Sequence, residues 1–185
     1  MTSSARRIWV VGTSGSGKST FARRLAFARG LPHIELDGLF HLANWEQRSN
    51  EEFTAEVSAA LERAPDGWVV DGNYVGKIGG TVLDRADTVV WLDLARPLVM
   101  RAVTRRTIRR VVRREELWNG NRERLRNVFT PKRETSILLW AWTSHASNRE
   151  RFATLSAQAP HLTWLHLESR AEMDVALHAL ATHPP

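Results

Sequence analysis

Residues 8–26 read IWVVGTSGSGKSTFARRLA, and this stretch decides the fold. An apolar run from Ile8 to Val11 indicates a buried strand, and the apolar spacing that follows Ser19 indicates a helix. Between them, residues 12–19 match the pattern G-x-x-x-x-G-K-[ST] without a mismatch, in the strand–loop–helix context that the pattern requires. Glycines let backbone N–H groups turn inward around an anion, and the helix N-terminus adds its positive end. The stretch therefore predicts a phosphate-binding loop.

The ligand that this loop predicts is a nucleoside triphosphate. We expect Lys18 to reach the β- and γ-phosphates and to act in catalysis, and we expect the Ser19 hydroxyl to bind Mg²⁺. A flexible serine- and glycine-rich turn is the alternative, but it leaves the flanking strand and helix unexplained. The residues predicted to hold the nucleotide are Gly12, Thr13, Ser14, Gly15, Ser16, Gly17, Lys18, Ser19 and Thr20.

Length and composition set the class of protein. A chain of 185 residues is most simply one domain, residues 1–185, with room for a substantial core. It contains no cysteine, which excludes disulfides and thiolate metal sites and suits a reducing compartment. The apolar run near the N-terminus is too short for a signal peptide, and no later stretch reaches membrane-spanning length. We therefore expect a soluble cytoplasmic protein without a membrane partner.

Positive charge is concentrated in one segment of the chain. The net charge is +6, but residues 101–133 contain 11 Arg, 1 Lys and 3 Glu, so this segment carries +9 and the remainder −3. Arginine suits planar, bidentate recognition of phosphate. Because only 3 of the 26 basic residues are lysine, a solvated helix face in an arginine-rich chain is the competing interpretation.

Strand and helix patterns alternate along the chain. This alternation predicts an α/β fold with three layers, a five-stranded parallel sheet with helices on both faces. Ligands of such sheets bind beyond the carboxyl ends of the strands, where Asp37, Asp71 and Asp93 follow Gly12 as strand-end residues. Capping boxes begin helices at Ser49 and Ser169. The predicted strands are Arg7–Val11, His33–Leu36, Trp68–Val70, Thr88–Leu92 and Leu162–Leu167, and a mostly helical region runs from Pro97 to about Arg151.

Five segments carry a resemblance to a known family, and they are the loop itself, HIELDGLFHLANWEQR, WVVDGNYVG, ADTVVWLDLARPLVMRAVTRR and HLTWLHLESRAEMDVAL. Their order and spacing resemble adenylate kinase-like P-loop kinases, closest to the bacterial subgroup called DNA topology modulation proteins, over about residues 7–180. The resemblance implies a P-loop NTPase fold with an acceptor-side helical insert at about 38–64 and a mobile, arginine-rich helical lid at about 101–133. It also implies ATP and Mg²⁺ as cofactors and phosphoryl transfer to a small acceptor.

Acceptor residues follow from the strand ends and from the resemblance together. Asp37 would orient the acceptor hydroxyl and accept its proton, although an Asp-Gly turn is a sufficient explanation of the residue pair. Arg48 looks like an acceptor-side arginine that meets a phosphate, and a surface arginine is the alternative. Asn73 and Tyr74 could line the acceptor pocket, and Trp45 could cover it. The adenylate kinases proper have Phe-Pro-Arg where this chain has Asn-Tyr-Val, so AMP is not the expected acceptor.

The remaining predicted residues concern the metal and the transferred phosphate. Asp71 resembles the carboxylate that acts on Mg²⁺ through water, together with Ser19, and Asp93 is the second candidate for this role. Arg101 and Arg105 are four residues apart, share a helix face and look like the catalytic arginine pair that closes over the donor phosphates. Further lid candidates are Arg109, Arg113, Arg122 and Arg126.

Two classes of function remain. The first is an ATP- and Mg²⁺-dependent small-molecule kinase that phosphorylates a nucleoside, a nucleotide or a similar small metabolite. The second is a P-loop regulator associated with nucleic acid, in which the basic segment 101–133 contacts phosphates. That segment begins where a lid would begin and lacks the base-reading features of known DNA-binding motifs, so the sequence favours the kinase.

Overall fold

The parallel sheet that the sequence predicts is present. A computed structural model describes residues 5–78, 80–122 and 136–182, and within them five strands form one sheet in the order β2-β3-β1-β4-β5 with every pair parallel. The register brings Val10 beside Asp71 and Gly12 beside Leu92, so the strands end at a common edge. The strands are β1 Arg7–Gly12, β2 His33–Glu35, β3 Trp68–Asp71, β4 Thr88–Leu92 and β5 Thr163–Leu167.

Helices connect the strands and cover the sheet. In the described residues they are α1 Lys18–Arg29, α2 Leu36–Phe40, α3 Asn50–Glu62, α4 Val75–Ile78, α5 Arg96–Val112, α6 Ile137–Gln158 and α7 Arg170–Thr182. Short 3₁₀ turns occur at Ala43–Trp45, Leu83–Arg85 and Trp118–Gly120. None of the helices in the described ranges is both long and apolar enough to cross a membrane.

Two hydrophobic cores lie on the two faces of the sheet. Ile8, Val10, Val69 and Val90 alternate onto one face, where they pack with residues of α1 and α7. The intervening residues face the other side and pack with residues of α3 and α6. This second core is built around Trp9, Val11, Val70, Trp91, Phe53, Val57 and Phe152. A sheet between two helical layers is the predicted three-layer α/β arrangement, which is thereby confirmed.

Two predicted element boundaries differ from the observed ones. The second strand ends at Glu35, and the buried Leu36 begins α2, so Asp37 lies in the first turn of a short helix. A carboxylate in that position is favoured by the positive end of the helix dipole. The long helical region after Pro97 is interrupted, because α5 ends at Val112 and the chain then turns through positive φ at Arg114 and Asn119.

The capping predictions can be checked at atomic detail. At Ser49 the box is complete: the Ser49 hydroxyl accepts from the Glu52 N–H at 3.2 Å, and the Glu52 carboxylate accepts from the Ser49 N–H at 3.1 Å. At Ser169 the hydroxyl accepts from the Glu172 N–H at 3.2 Å, but the Glu172 carboxylate accepts from the N–H of Glu168 at 2.7 Å. The bond from the Glu168 N–H lowers the pKa of the Glu172 carboxyl, and hydrogen bonding to the Ser169 side chain adds to this.

Candidate functional site

The phosphate-binding loop connects the end of β1 to the start of α1. Gly12 and Gly15 have φ of 146° and 94°, values that only glycine adopts readily. A Cβ at Gly12 would lie 2.5 Å from the Leu92 carbonyl oxygen, and one at Gly15 would lie 2.7 Å from the Val99 carbonyl oxygen. The loop can therefore pass close to β4 and α5 only with glycine at these two positions.

The polar side chains of the loop divide into buried and accessible groups. Thr13 and Ser16 are buried, whereas Lys18 and Ser19 are half-buried in the first turn of α1 and Thr20 is exposed. The Lys18 and Ser19 side chains make no hydrogen bond or ion pair with any residue that the structure describes. An ammonium and a hydroxyl that no described residue bonds, at a helix N-terminus, are suited to a phosphate and a cation.

Helix α5 packs against the loop and presents one arginine to it. Val99 and Val103 are buried, and a Cβ at Gly15 would lie 3.0 Å from the Cβ of Val103. One turn further along the same face, Arg106 Nη2 donates to Ser14 Oγ at 3.1 Å. Arg106 therefore reaches the phosphate-binding loop, although the sequence analysis did not single it out. The spacing of Val99, Val103 and Arg106 is the signal that identifies this face.

The predicted pair Arg101 and Arg105 lies elsewhere on α5. Both side chains are exposed and line a shallow depression with Met100, Thr104 and Ile108. Because Arg101 follows Val99 by two residues, it is about 200° away around the helix from the side that contacts the loop. The structure thus does not bring this pair to the phosphate-binding loop.

The other lid candidates have different surroundings. Arg109 pairs with Glu115 at 3.1 Å, and Arg122 pairs with Glu116 at 3.4 Å. Arg113 is exposed at the C-terminus of α5. Arg126, and the part of the predicted lid from 123 to 133, lie outside the described residues.

Asp71 is a buried carboxylate at the end of β3. It is 2% exposed, and its Oδ1 lies 3.0 Å from Nε2 of His33. Alternation with Val69 directs Asp71 to the face of the sheet on which α1 packs, the helix that carries Lys18. His33 is a site residue that the sequence analysis missed, because its proximity to Asp71 follows from the pairing of β2 with β3.

Asp93, the second candidate for the metal-linked carboxylate, is already neutralised by protein groups. Its Oδ2 accepts from Arg149 Nε at 2.7 Å and lies 2.9 Å from Nε2 of His166. Arg149 also donates to Glu168 at 3.0 Å. The guanidinium thus bonds two of the three groups, Asp93, His166 and Glu168, that are close enough together to suggest a cation site.

Asp37 and Tyr74 form a hydrogen-bonded pair. The Tyr74 hydroxyl donates to Asp37 Oδ1 at 2.7 Å, and the Tyr74 ring packs against Phe40 and Phe53 with centroids 5.0 Å apart. Burial raises the pKa of Tyr74 strongly, and the charge of Asp37 and this hydrogen bond add to the effect. A smaller contribution comes from the charge of Asp71, so both carboxylates lie near the phenol. The phenol therefore stays protonated and donates to Asp37.

Arg48 and Asn73, two residues predicted to contact the acceptor, have protein partners. Arg48 Nε donates to the Leu39 carbonyl at 2.9 Å, and its Nη2 lies 3.9 Å from Glu56. Asn73 uses both ends of its amide on one residue of the phosphate-binding loop. Its Oδ1 accepts from the Gly12 N–H at 3.1 Å, and its Nδ2 donates to the Gly12 carbonyl at 2.7 Å.

Two turns of the same conformation meet beside Asp37. We call residues 41–47 the acceptor-side turn and residues 116–122 the arm turn. In each, the second residue donates its N–H to the sixth residue's carbonyl, at 2.8 Å and 2.7 Å. The fourth residue is an asparagine with positive φ, Asn44 at 58° and Asn119 at 55°. Each turn begins and ends with an isolated β-bridge.

Asparagine side chains join these two turns. Asn121 is buried, donates to the Leu42 carbonyl at 2.8 Å and accepts from the Trp45 N–H at 2.8 Å. Asn119 donates to the carbonyl groups of Gly38 and His41. The arm turn, which follows α5, is therefore bonded directly to the segment that follows Asp37.

Aromatic rings also pack where the acceptor-side turn meets the arm turn. A Cβ at Gly38 would lie 3.0 Å from Trp118 Cδ1, and the Trp118 ring stacks on His41 at a centroid distance of 6.2 Å. The Trp45 ring meets His41 edge-on at 5.5 Å. Burial lowers the pKa of His41, and the charge of Asp37 opposes this only in part. A neutral imidazole between two indoles, one of them Trp45, thus lies beside Asp37.

Comparison with known proteins establishes the fold. Neither protein-family models nor curated protein sequences give a match to this chain. Among solved structures, it is similar to a shikimate kinase from Bacteroides thetaiotaomicron, with a TM-score of 0.54 and 14% identity over 95% of this chain and 96% of the other. It is also similar to an unliganded sugar kinase from Janibacter sp. HTCC2649, with a TM-score of 0.52 and 19% identity over 97% and 99%. The chain has a three-layer α/β P-loop fold with kinase structures as neighbours.

Proposed function

We propose that the protein is an ATP- and Mg²⁺-dependent phosphotransferase that phosphorylates a hydroxyl group of a small metabolite. The observation that carries this proposal is the linkage of two groups at one edge of the sheet. Asn73 holds the first residue of the phosphate-binding loop, and the next residue, Tyr74, holds Asp37. A phosphate site and a carboxylate able to accept a proton are thereby tied to one short segment.

On the donor side, three protein features act on the triphosphate. Backbone N–H groups of the loop other than those of Gly12 and Ser16, which bond within the protein, hold the phosphates together with the N-terminus of α1. Lys18 neutralises charge on the β- and γ-phosphates. Arg106 extends from α5 to Ser14 of the loop and would also contact the phosphates. A guanidinium fixed in advance stabilises charge on the phosphoryl group as it transfers. The sequence analysis assigns this role to Arg101 and Arg105, and that assignment is the competing hypothesis, because the exposed pair would act only after a movement of α5.

A magnesium ion fits the oxygen groups at this edge. The Ser19 hydroxyl has no partner among the described residues, and Asp71 supplies a buried carboxylate on the same face of the sheet as α1. Mg²⁺ takes oxygen ligands and keeps several waters, so one hydroxyl and one carboxylate acting through water are a sufficient protein set. When bound, the ion would neutralise charge on the phosphates. His33 would keep Asp71 oriented.

On the acceptor side, Asp37 would accept the proton of the hydroxyl group that attacks the γ-phosphate. Its Oδ1 is held by Tyr74, which leaves Oδ2 for the acceptor. Near this carboxylate the His41 ring contacts the rings of Phe40, Trp45 and Trp118, and this group would exclude water and pack on an acceptor ring. Nucleosides, nucleotides and sugars share the required chemistry, a hydroxyl group on a compact ring.

The comparisons support a small-molecule kinase more than a nucleic-acid regulator. Both structural neighbours are named as kinases of small molecules. Several arginines of the basic segment have partners within the protein, Arg106 on the loop and Arg109 and Arg122 on glutamates. Membership of the DNA topology modulation subgroup remains part of the proposal.

The deciding experiment measures ADP release from Mg·ATP with and without a panel of nucleosides, nucleotides, sugars and small hydroxylated acids. We expect one acceptor class to stimulate ADP release and to be recovered in phosphorylated form. Lys18→Ala protein is the matched control and should show no stimulation. Absence of Mg·ATP binding by the unaltered protein would contradict the proposal.

The regulator is tested in parallel by titrating duplex DNA at several salt concentrations. Tight DNA binding that weakens steeply with salt, together with ATP turnover that no acceptor stimulates, would favour the regulator. Weak binding without this salt dependence is the result expected for a kinase.

A further inference from the structure

The segment that follows β3 contacts both halves of the site. We call Gly72–Tyr74 the bridge segment. Its first residue is fixed by a bond from the buried Trp9, whose Nε1 donates to the Gly72 carbonyl at 3.1 Å. Gly72 has φ of 140°, and a Cβ there would lie 2.8 Å from the Leu36 Cβ at the start of α2. The bridge segment therefore packs between β1 and α2.

Its two other residues bond in opposite directions. Asn73 makes two hydrogen bonds to the backbone of Gly12, 61 residues away, and Tyr74 makes one to Asp37, 37 residues away. Both are side-chain bonds, so both depend on residue identity at these positions. Each polar end already has a protein partner: the Asn73 amide is bonded at both ends, and the Tyr74 hydroxyl donates to Asp37.

We propose that Asn73 and Tyr74 are positioning residues which together set the location of the Asp37 carboxylate relative to the phosphate-binding loop. This inference rests on the proposed phosphotransferase function of the same site. Phosphoryl transfer needs the attacking oxygen in line with the γ-phosphate, and a misplacement of about 1 Å costs on the order of a hundredfold in rate. The two carrier elements, the loop after β1 and α2 after β2, lie on either side of β3 in the sheet. The bridge segment at the end of β3 therefore lies between them and connects them through side-chain hydrogen bonds.

A positioning role predicts communication between groups that do not touch. Tyr74 has no bond to Gly12, yet loss of its hydroxyl should loosen Asn73 and, through it, the loop. An independent structural role for each residue predicts no such effect. This difference can be measured without any acceptor.

The test is hydrogen–deuterium exchange of the loop peptide in the ligand-free protein. We expect Asn73→Ala and Tyr74→Phe each to raise exchange at Gly12 by about two- to tenfold, the factor that corresponds to one lost hydrogen bond. Thr81→Val is the control, because it removes a bond of equal length, Thr81 Oγ1 to the Ile78 carbonyl at 2.7 Å, outside the bridge segment. Unchanged exchange at Gly12 in Tyr74→Phe protein would overturn the proposal.

Turnover gives a second, independent readout. With Mg·ATP and no added acceptor, water takes the place of the acceptor hydroxyl, and the same comparison is made with any acceptor found in the panel. We expect each single variant to lower the rate about ten- to hundredfold with the Kd for Mg·ATP changed less than about threefold, and the double variant to be no slower than the slower single. Rate losses that multiply, or a Kd that weakens in parallel with the rate, would overturn a joint positioning role.

These outcomes are separable from failure of the proposed function. If the unaltered protein does not bind Mg·ATP, the phosphotransferase proposal fails whatever the variants do. If it binds Mg·ATP and the Tyr74→Phe substitution leaves exchange at Gly12 unchanged, only the positioning role of Asn73 and Tyr74 is contradicted.

Discussion

At the scale of single residues, Lys18 is the one cation that the phosphate-binding loop itself contributes. It is half-buried and has no partner in the described part of the chain. Replacement by alanine should weaken Mg·ATP binding about ten- to hundredfold, because charge-assisted hydrogen bonds to phosphate are worth about 1.5–3 kcal/mol. Calorimetric titration measures this directly, with Arg23→Ala on the exposed side of the same helix as control. Equal affinity of Lys18→Ala and unaltered protein for Mg·ATP would show that the loop is not the nucleotide-binding site.

Substitution of Asp37 should lower the rate of phosphoryl transfer without changing the affinity for Mg·ATP. Asp37→Asn keeps the shape of the side chain and the acceptor oxygen for Tyr74 but cannot take a proton. Loss of a general base typically costs about 10²–10⁴-fold, so we expect transfer to fall by that factor while the Kd for Mg·ATP stays the same. Glu46→Gln, an exposed carboxylate of the acceptor-side turn, serves as control. A parallel loss of ATP affinity would show that Asp37 belongs to the donor side.

At the scale of elements, the arginines of α5 form two sets that occupy different faces of the helix. The side with Val99 and Val103 carries Arg106 to the loop, and the other side carries Arg101 and Arg105 to solvent. We expect Arg106→Ala to weaken Mg·ATP binding or slow turnover about tenfold or more, whereas Arg105→Ala changes either quantity less than about threefold. Steady-state kinetics of the two variants decides. The opposite ranking would mean that α5 rotates or moves before the reaction.

The complete capping box makes α3 a test of local stability. Ser49→Ala removes the bond to the Glu52 N–H and should lower the free energy of unfolding by about 1 kcal/mol. Urea-induced unfolding measures this. Ser58→Ala, in the middle of the same helix, should leave stability unchanged or raise it slightly because alanine favours helix. Equal effects of the two substitutions would show that the cap is not formed in solution.

At the scale of the whole molecule, the sequence predicted whatever depends on local pattern. Apolar runs predict the positions of the strands, and glycine spacing predicts the position of the phosphate-binding loop. The face of α5 that meets the loop could not be placed, because a spacing of four shows that Arg101 and Arg105 share a face but not where that face points. The partners of His33 and Asn73 could not be predicted for a related reason: strand order and register bring these two side chains to Asp71 and Gly12.

The joining of the two turns also depends on the whole molecule, since its hydrogen bonds connect residues 76 to 81 positions apart. Contacts of such separation are slow to form, because closing a long loop costs conformational entropy before the contact stabilises it. The pairing of β1 with β4 spans a similar separation, from Ile8 to Thr88, but it buries core residues on both faces of the sheet. The turns meet mainly through side-chain hydrogen bonds, which are worth less than this apolar burial. Docking of the arm turn onto the acceptor-side turn should therefore follow the rate-limiting step of folding.

Folding kinetics of Asn121→Ala protein can test this order. Its amide makes the Leu42 and Trp45 bonds, and a mutation whose contacts form after the transition state speeds unfolding and leaves the folding rate unchanged. We expect unfolding about tenfold faster and a folding limb within about twofold of that of the unaltered protein, by stopped-flow fluorescence. A slower folding limb would place the contact earlier. With an unchanged folding limb, the acceptor side of this protein is completed last each time the chain folds, over a sheet and a phosphate-binding loop already in place.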